Sequence, residues 1–583
     1  MRTFVPVLVV SLFLVSGIAW SGDRWVDSTL ASLSIEERVG QLFVVEFVGL
    51  YTHQDDQAYR YASEMVTRYH VGSLILGGGT ILDIATVTNR LQAMAKVPLL
   101  INGDFEAGAA HGSTWRLSRG WTDRLPRMIP GGGTQFVSQM AIGATGDPQN
   151  AYEMGRITAR EARAMGVHWS NSPVADVNSD PENPVINTRS YGEDPAAVAA
   201  LVAAYVRGAQ DAGMIATLKH FPGHGDTHED SHMKLPVLPS DRARLNAVEF
   251  VPFRAGIAAG AKAVMTSHLA LPRIDPTGRP ATLSAPVLTG LLRNDLGFGG
   301  IIVTDGMRMQ GITDQYGSAE AAVLAVEAGA DAVLGIEDID KGYHGVLDAV
   351  TTGRITRDRI DASVRRILEA KRWAGLADRR TVDVDAIFSI VGDPASRRIS
   401  ERISDASVTL LRNDQGLVPL RPGLHLEVVT VTEDPSPSVG TDLAYELGRG
   451  GEQVDLIRVS NETGAERFAA IAERSRKADV TVVGIYLSVV AWKGGSRFAK
   501  PLEDFLGALG RPGSPVIVVA FGDPYILGKV PLTAAALTPY NGTYLAEESV
   551  ARAVTGGIAV TGKLPVTIPG RYARGSGIVL QKK

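Results

Sequence analysis

Between about residues 35 and 375 the chain repeats one pattern: a short, uniformly apolar, β-branched run followed by a longer stretch rich in Ala, Arg and Glu. The runs fall at 41–47, 72–76, 97–102, 167–173, 214–219, 263–267, 300–304 and 331–335. Runs that are apolar throughout, rather than alternating with polar residues, suit parallel strands buried on both faces. The segments between them, such as 148–165, 194–213 and 318–329, read as amphipathic helices. Eight strands alternating with helices predict an α/β protein whose N-terminal part is a (β/α)8 TIM-type barrel. A doubly wound open sheet is the competing arrangement. No Gly-x-Gly-x-x-Gly loop follows the first run, so the phosphate-binding turn of a dinucleotide fold is missing.

A further helix is predicted over 354–375, where Ile360, Val364, Ile367 and Leu368 share one face. Asp378-Arg379-Arg380 opens a polar connection that leads to a helix expected over 395–413. Apolar runs at 427–431, 454–457, 480–485 and 516–520 then predict a C-terminal doubly wound α/β sandwich. The chain divides into a signal peptide (1–21), a barrel domain (22–376), a linker with its helix (377–412) and the sandwich domain (413–583).

The leading segment has a single early charge, Arg2, an apolar stretch over 4–20 and a small-x-small site at Ala19-Trp20-Ser21. That is the form of a secretory signal, too short for a comfortable membrane span of about 20 residues. Export to the periplasm or medium is expected, with an uncleaved N-terminal anchor as the alternative and no obligatory membrane partner. The 583 residues include no cysteine. Disulfides, thiolate zinc sites, iron–sulfur clusters, cysteine nucleophiles and a lipid anchor through an N-terminal Cys are thereby excluded. A net charge of −5 gives no reason to expect a nucleic-acid partner.

The densest polar stretch, 219–232, directly follows an apolar run, where the active-site loops of a barrel lie. It holds His220, His224, His228 and His232, each four residues after the last. On a helix such spacing would put imidazoles on one face for a metal, but Pro222, Gly223 and Gly225 disrupt a helix there. No metal or other cofactor is therefore expected. In the extended run Asp230-Ser231-His232, residues two apart point the same way. A carboxylate can then orient one imidazole nitrogen and raise its pKa, which suits general acid/base work. A second candidate is Asp305, at the end of the run in Val303-Thr304-Asp305-Gly306-Met307. There a carboxylate faces the barrel mouth as a nucleophile, or caps the next helix.

These residues carry a resemblance. Lys219-His220-Phe221-Pro222-Gly223-His224-Gly225, followed by Asp230-Ser231-His232, is similar to the signature of glycoside hydrolase family 3 in its bacterial β-N-acetylglucosaminidase branch, two-domain type. Val303–Met307 resembles that family's nucleophile segment. Asn187-Thr188-Arg189-Ser190-Tyr191-Gly192-Glu193-Asp194-Pro195 resembles its sugar-binding arginine segment, and Pro173-Val174-Ala175-Asp176-Val177 the stretch before it. The likeness runs over about residues 35–375 and continues more weakly to Gly562-Lys563-Leu564-Pro565.

The resemblance implies a retaining exo-hydrolase acting on terminal β-linked N-acetylglucosamine in peptidoglycan fragments or chito-oligosaccharides. It implies Asp305 as nucleophile, His232 as acid/base and Asp230 as its partner. It further implies that Asp104, Arg189, Lys219 and His220 hold the sugar hydroxyls. One departure stands out: Asp104-Phe105-Glu106-Ala107-Gly108-Ala109-Ala110-His111, with Trp115 and Arg116 beyond, replaces the family's usual Asp-x-Glu-Gly-Gly and following basic residue. Alternatives within the family are a β-glucosidase, a xylosidase or a phosphorylase, since a neutral histidine repels phosphate less than a carboxylate does. Outside it, the alternatives are a zinc hydrolase and a non-catalytic cell-wall sugar-binding protein.

Overall fold

The structure is a computed structural model that describes residues 23–110, 132–487, 498–509 and 515–583. The expected signal peptide, His111, Trp115 and Arg116 lie outside the described residues. Eight parallel strands form the first sheet: β1 (Phe43–Gly49), β2 (Ser73–Gly79), β3 (Leu100–Gly103), β4 (Trp169–Ser170), β5 (Ile215–Phe221), β6 (Ala263–Thr266), β7 (Ile301–Val303) and β8 (Val333–Leu334). Their spatial order, β7-β6-β5-β4-β3-β2-β1-β8, is that of a barrel. Each of the eight apolar runs supplies one strand.

The interior is packed. Val44, Leu100, Trp169, Ile215, Met265, Ile301, Val303 and Leu334 make one apolar cluster, and the Trp169 Nε1–H donates to Thr217 Oγ1 at 2.6 Å. Truncating one of these aliphatic side chains to Ala would cost about 2–5 kcal/mol. Outside the sheet, the helices Pro148–Ala164 and Pro195–Asp211 both begin at an Asp-Pro pair. Asp147 and Asp194 cap their first N–H groups, and proline occupies the position that needs no donor. The two helices approach closely because Gly208 faces Tyr152; a Cβ there would lie 2.1 Å from the Tyr152 carbonyl oxygen.

The ring closes between β7 and β8. Thr304 donates its N–H to the Ala332 carbonyl at 3.0 Å, and Asp331 donates its own to Ile302 at 2.7 Å. The Thr304 hydroxyl accepts the N–H of Leu334 at 2.8 Å. Below them Asp331, fully buried, accepts the Ile302 N–H at 3.0 Å and Arg366 at 3.0 Å, and pairs with Arg293 as well. Burying this carboxylate is tolerable because cations and N–H groups surround it.

The second sheet comprises β9 (Thr409–Asn413), β10 (His425–Thr432), β11 (Gln453–Val459), β12 (Val480–Leu487), β13 (Val516–Gly522) and β14 (Ala535–Thr538), ordered β11-β10-β12-β13-β14-β9. All pairs are parallel except β14 with β9. This corrects the helix expected over 395–413. The helix is Pro394–Ser407, and Thr409–Asn413 instead forms the antiparallel edge strand. Leu410 is fully buried in the second core, so pairing and burial decide the conformation there. Among the described residues no helix is long and apolar enough to cross a membrane.

The domains meet along the loops that follow β4. Glu193 accepts the Thr567 N–H and hydroxyl, both at 2.7 Å, and Asn178 Nδ2 donates to Tyr525 Oη at 2.8 Å.

Candidate active site

β5 is buried along its whole length and delivers Lys219 and His220 at its C-terminal end. Lys219 is 3% exposed and so needs anions. It finds Glu106 Oε1 at 2.6 Å and Asp104 Oδ1 at 3.1 Å, both in the loop after β3. Glu106 also takes a two-pronged donation from Arg189, Nε at 2.9 Å and Nη2 at 2.8 Å. Two cations and two carboxylates thus interlock at the mouth. Burial would raise the Glu106 carboxyl, but Arg189 and Lys219 hold it well below the ordinary carboxylate range. Burial opposes the charge on Lys219, and Asp104 and Glu106 overcome this and push its pKa up.

His220 is set by Asp176, which is fully buried. Asp176 Oδ2 lies 2.8 Å from His220 Nδ1, and the carboxylate also accepts the N–H groups of His220 and His224. With Nδ1–H given to the carboxylate, Nε2 faces outward, 3.5 Å from Arg189 Nη2.

The next loop carries the pair seen in the sequence. His232 Nδ1 lies 2.7 Å from Asp230 Oδ1, which also accepts the His232 N–H at 2.9 Å. Asp230 is nearly inaccessible and His232 is 18% exposed at its side chain, so the imidazole is the wet end. The backbone carbonyl of His232 accepts the N–H of Gln310 at 3.4 Å, which joins this loop to the one after β7.

Asp305 stands at the end of β7, half-buried, its Oδ1 accepting the Gly306 N–H at 2.7 Å. Burial would raise its pKa. The positive potential of His220, His268 and His232, with the Gly306 N–H, outweighs burial and holds it down to about 2. This carboxylate is ionised throughout the neutral range, in the field of imidazoles from the end of β5, the loop after it and the loop after β6. His268 had no signal in the sequence reading. It sits after β6 with Nδ1 2.8 Å from Thr282 Oγ1 and Nε2 3.1 Å from the Gly306 carbonyl, and desolvation lowers its pKa.

The structure therefore brings Asp104, Arg189, Lys219, His220, Asp230, His232 and Asp305 to one end of the barrel. The four spaced histidines turn to four different partners. His224 bonds Ser231 and Thr227, and burial drops its pKa to about 4; His228, largely exposed, pairs with Asp180. The other carboxylates near His232 in sequence are engaged elsewhere, Asp226 with Arg244 at 3.5 Å and Glu229 with Lys234. Glu106 and Asp176, quoted above as parts of motifs, are the hubs that spacing alone did not single out.

Residues 34–370 match the family described as "Glycosyl hydrolase family 3 N terminal domain". A Cellulomonas fimi protein named "Beta-N-acetylglucosaminidase/beta-glucosidase" is 28% identical over 589 residues, covering 94% of this chain and 96% of its own. A solved glycoside hydrolase family 3 β-N-acetylglucosaminidase from Paenibacillus sp. str. FPU-7 superposes with a TM-score of 0.80 at 35% identity, over 92% of this chain and 99% of that one. The β-glucoside phosphorylase BglX, bound to 2FGlc, gives a TM-score of 0.81 at 25% identity, over 94% and 96%. An ionised carboxylate and an oriented imidazole at the mouth of a family-matching barrel lead to one classification: the chain belongs to glycosyl hydrolase family 3 and is a glycoside hydrolase.

Proposed function

We propose that this enzyme is a retaining exo-β-N-acetylglucosaminidase that removes terminal β-linked N-acetylglucosamine from peptidoglycan fragments or chito-oligosaccharides. The observation that supports the reading is Asp305, held ionised by a group of imidazoles that includes His232, whose Nδ1 is bound by Asp230 at 2.7 Å. Asp305 attacks the anomeric carbon while His232 gives its proton to the departing glycosidic oxygen. The resulting glycosyl ester is opened by water, whose proton the same imidazole takes back. Two charges of the dyad suffice for this cycle: Asp230 stabilises the imidazolium and stays ionised. Asp104, Arg189, Lys219 and His220 bind the ring hydroxyls, their donors and acceptors already ordered by Glu106 and Asp176. Export, read from residues 1–21, is part of the proposal, and the mass of the mature N-terminus tests it.

The test is turnover of chromogenic β-glycosides of N-acetylglucosamine, glucose and xylose, each with and without phosphate. The expected result is preference for the N-acetylglucosaminide and a rate unchanged by phosphate. A glucoside preference would overturn the substrate. Release of a sugar 1-phosphate would establish instead the phosphorolysis for which the likeness to BglX speaks.

A further inference from the structure

We propose that Asp523 and Tyr525 of the C-terminal domain are positioning residues for the sugar site, so that one turn of the second domain sets the geometry of both Arg189 and His220. The inference rests on the sugar-binding roles proposed above for those two residues.

The turn follows β13. Asp523 accepts the Tyr525 N–H at 2.9 Å and caps the short 3-10 helix Pro524–Gly528. From this point two side chains reach into the barrel domain. Tyr525, 5% exposed, accepts Asn178 Nδ2 at 2.8 Å. The Asn187 side chain lies close enough to Asp523 to favour its ionised form, although burial pushes that carboxyl up. Asn178 lies two residues after Asp176, the carboxylate that orients His220; Asn187 lies two residues before Arg189.

The two contacted segments are themselves laced together. Ser190 Oγ donates to the Asp176 carbonyl at 2.7 Å, and the Asn178 N–H donates to the Gly192 carbonyl at 2.9 Å. Asn187 adopts φ 39°, in the left-handed region that asparagine tolerates better than most residues. A conformation of this kind persists when its surroundings over-determine it, and the approach of Asp523 is one such constraint. Asn178 and Asn187 are both almost wholly buried, so a lost partner is not replaced freely by water. The domain interface thus acts on the segments that aim the guanidinium and the imidazole, and has no need to touch the sugar itself.

The test compares the full-length enzyme with Tyr525→Phe, Asp523→Ala and Asp523→Asn. Tyr525→Phe keeps the ring and deletes the acceptor; Asp523→Asn keeps an acceptor for Asn187. Three measurements are made: hydrogen exchange of the peptide spanning 185–192, without ligand, steady-state kinetics on the best glycoside of the wild type, and the thermal midpoint. The expected result is faster exchange in that peptide for Asp523→Ala. In Tyr525→Phe and Asp523→Ala, KM should rise on the order of ten-fold and kcat on an activated aryl glycoside should change less. Asp523→Asn should restore most of the effect, and thermal midpoints should stay close to wild type. Unchanged exchange overturns the proposal whatever glycoside the enzyme prefers. Faster exchange with unaltered KM, or equal defects in Asp523→Asn and Asp523→Ala, also overturns it. A wild type that prefers glucosides refutes the substrate reading alone, because the comparison is then run on glucosides. A wild type that turns over no glycoside refutes that reading and, with it, the positioning role.

Discussion

One oxygen of Asp230 holds His232 twice: Oδ1 lies 2.7 Å from the ring Nδ1 and accepts the residue's own N–H at 2.9 Å. Backbone and ring are thereby fixed by the same anchor, and the ring cannot turn without breaking one of these bonds. In the neutral imidazole this arrangement leaves Nε2 as the basic nitrogen, on the solvent side.

The dyad predicts a dependence on leaving group. His232→Ala should lose about 10² to 10⁴ in turnover of a natural disaccharide, yet far less on an activated nitrophenyl glycoside, which departs without a proton. Asp230→Ala should show the same selectivity in milder form. Equal losses on both substrates would assign His232 to binding instead.

Asp305→Ala should lose at least about 10³ in turnover, with the covalent route gone. The sign of the pH effect follows from its depressed pKa: the carboxylate is ionised above about 2 and is lost as nucleophile only below that. Labelling by a fluoroglycosyl inactivator with a dinitrophenyl leaving group should therefore be flat from pH 4 to 7, within the range where the enzyme stays folded. A labelling rate that falls with a midpoint above pH 4, or a label on another residue, contradicts the assignment.

Glu106→Gln keeps shape and removes the charge that serves Arg189 and Lys219 together. Breaking a buried pair from one side costs about 3–5 kcal/mol, because the partner's charge stays behind. The expected outcome is a lower thermal midpoint at fixed scan rate and a higher KM. A variant as stable as the wild type would mean that solvent reaches the cluster and screens it.

Lys371 is buried at the foot of the barrel, donating to Gln41 Oε1 at 2.6 Å, and burial lowers its pKa to about 7. The unfolded chain holds this proton up to roughly pH 10. Between the two values the unfolded state binds more protons, so stability gains with rising pH and is lost as pH falls toward 7. Lys371→Met should abolish that part of the slope, raising the thermal midpoint relative to wild type more at pH 7 than at pH 9.5. Equal differences at both pH values would show that the ammonium is charged in the fold.

Much of the barrel and of its site is legible in the sequence. The barrel strands announced themselves because parallel strands buried on both faces leave no polar alternation to confuse the pattern. β9 did not, since Val408-Thr409-Leu410-Leu411 continues an apolar run out of a helix and nothing local distinguishes the two states. β14, Ala535–Thr538, is half alanine, a weak strand former whose conformation comes from its neighbours β13 and β9. At the site, the dyad was legible because its members are two residues apart. The Glu106–Arg189 and Asp176–His220 pairs span 83 and 44 positions, and only the closed barrel makes them adjacent.

The join between β7 and β8 gives the barrel a preferred place to come apart. Its closure rests on a few backbone bonds, the Thr304 hydroxyl and the Asp331 carboxylate in place of a long strand ladder, and Asp305 is the residue directly after Thr304. Loosening at this join would displace the nucleophile while the other strand pairs stayed intact. In a denaturant titration, activity should therefore fade at lower concentration than far-ultraviolet circular dichroism, and coincident curves would disprove this. An assay of this enzyme would then report on one joint in the ring well before it reports on the folding of the whole.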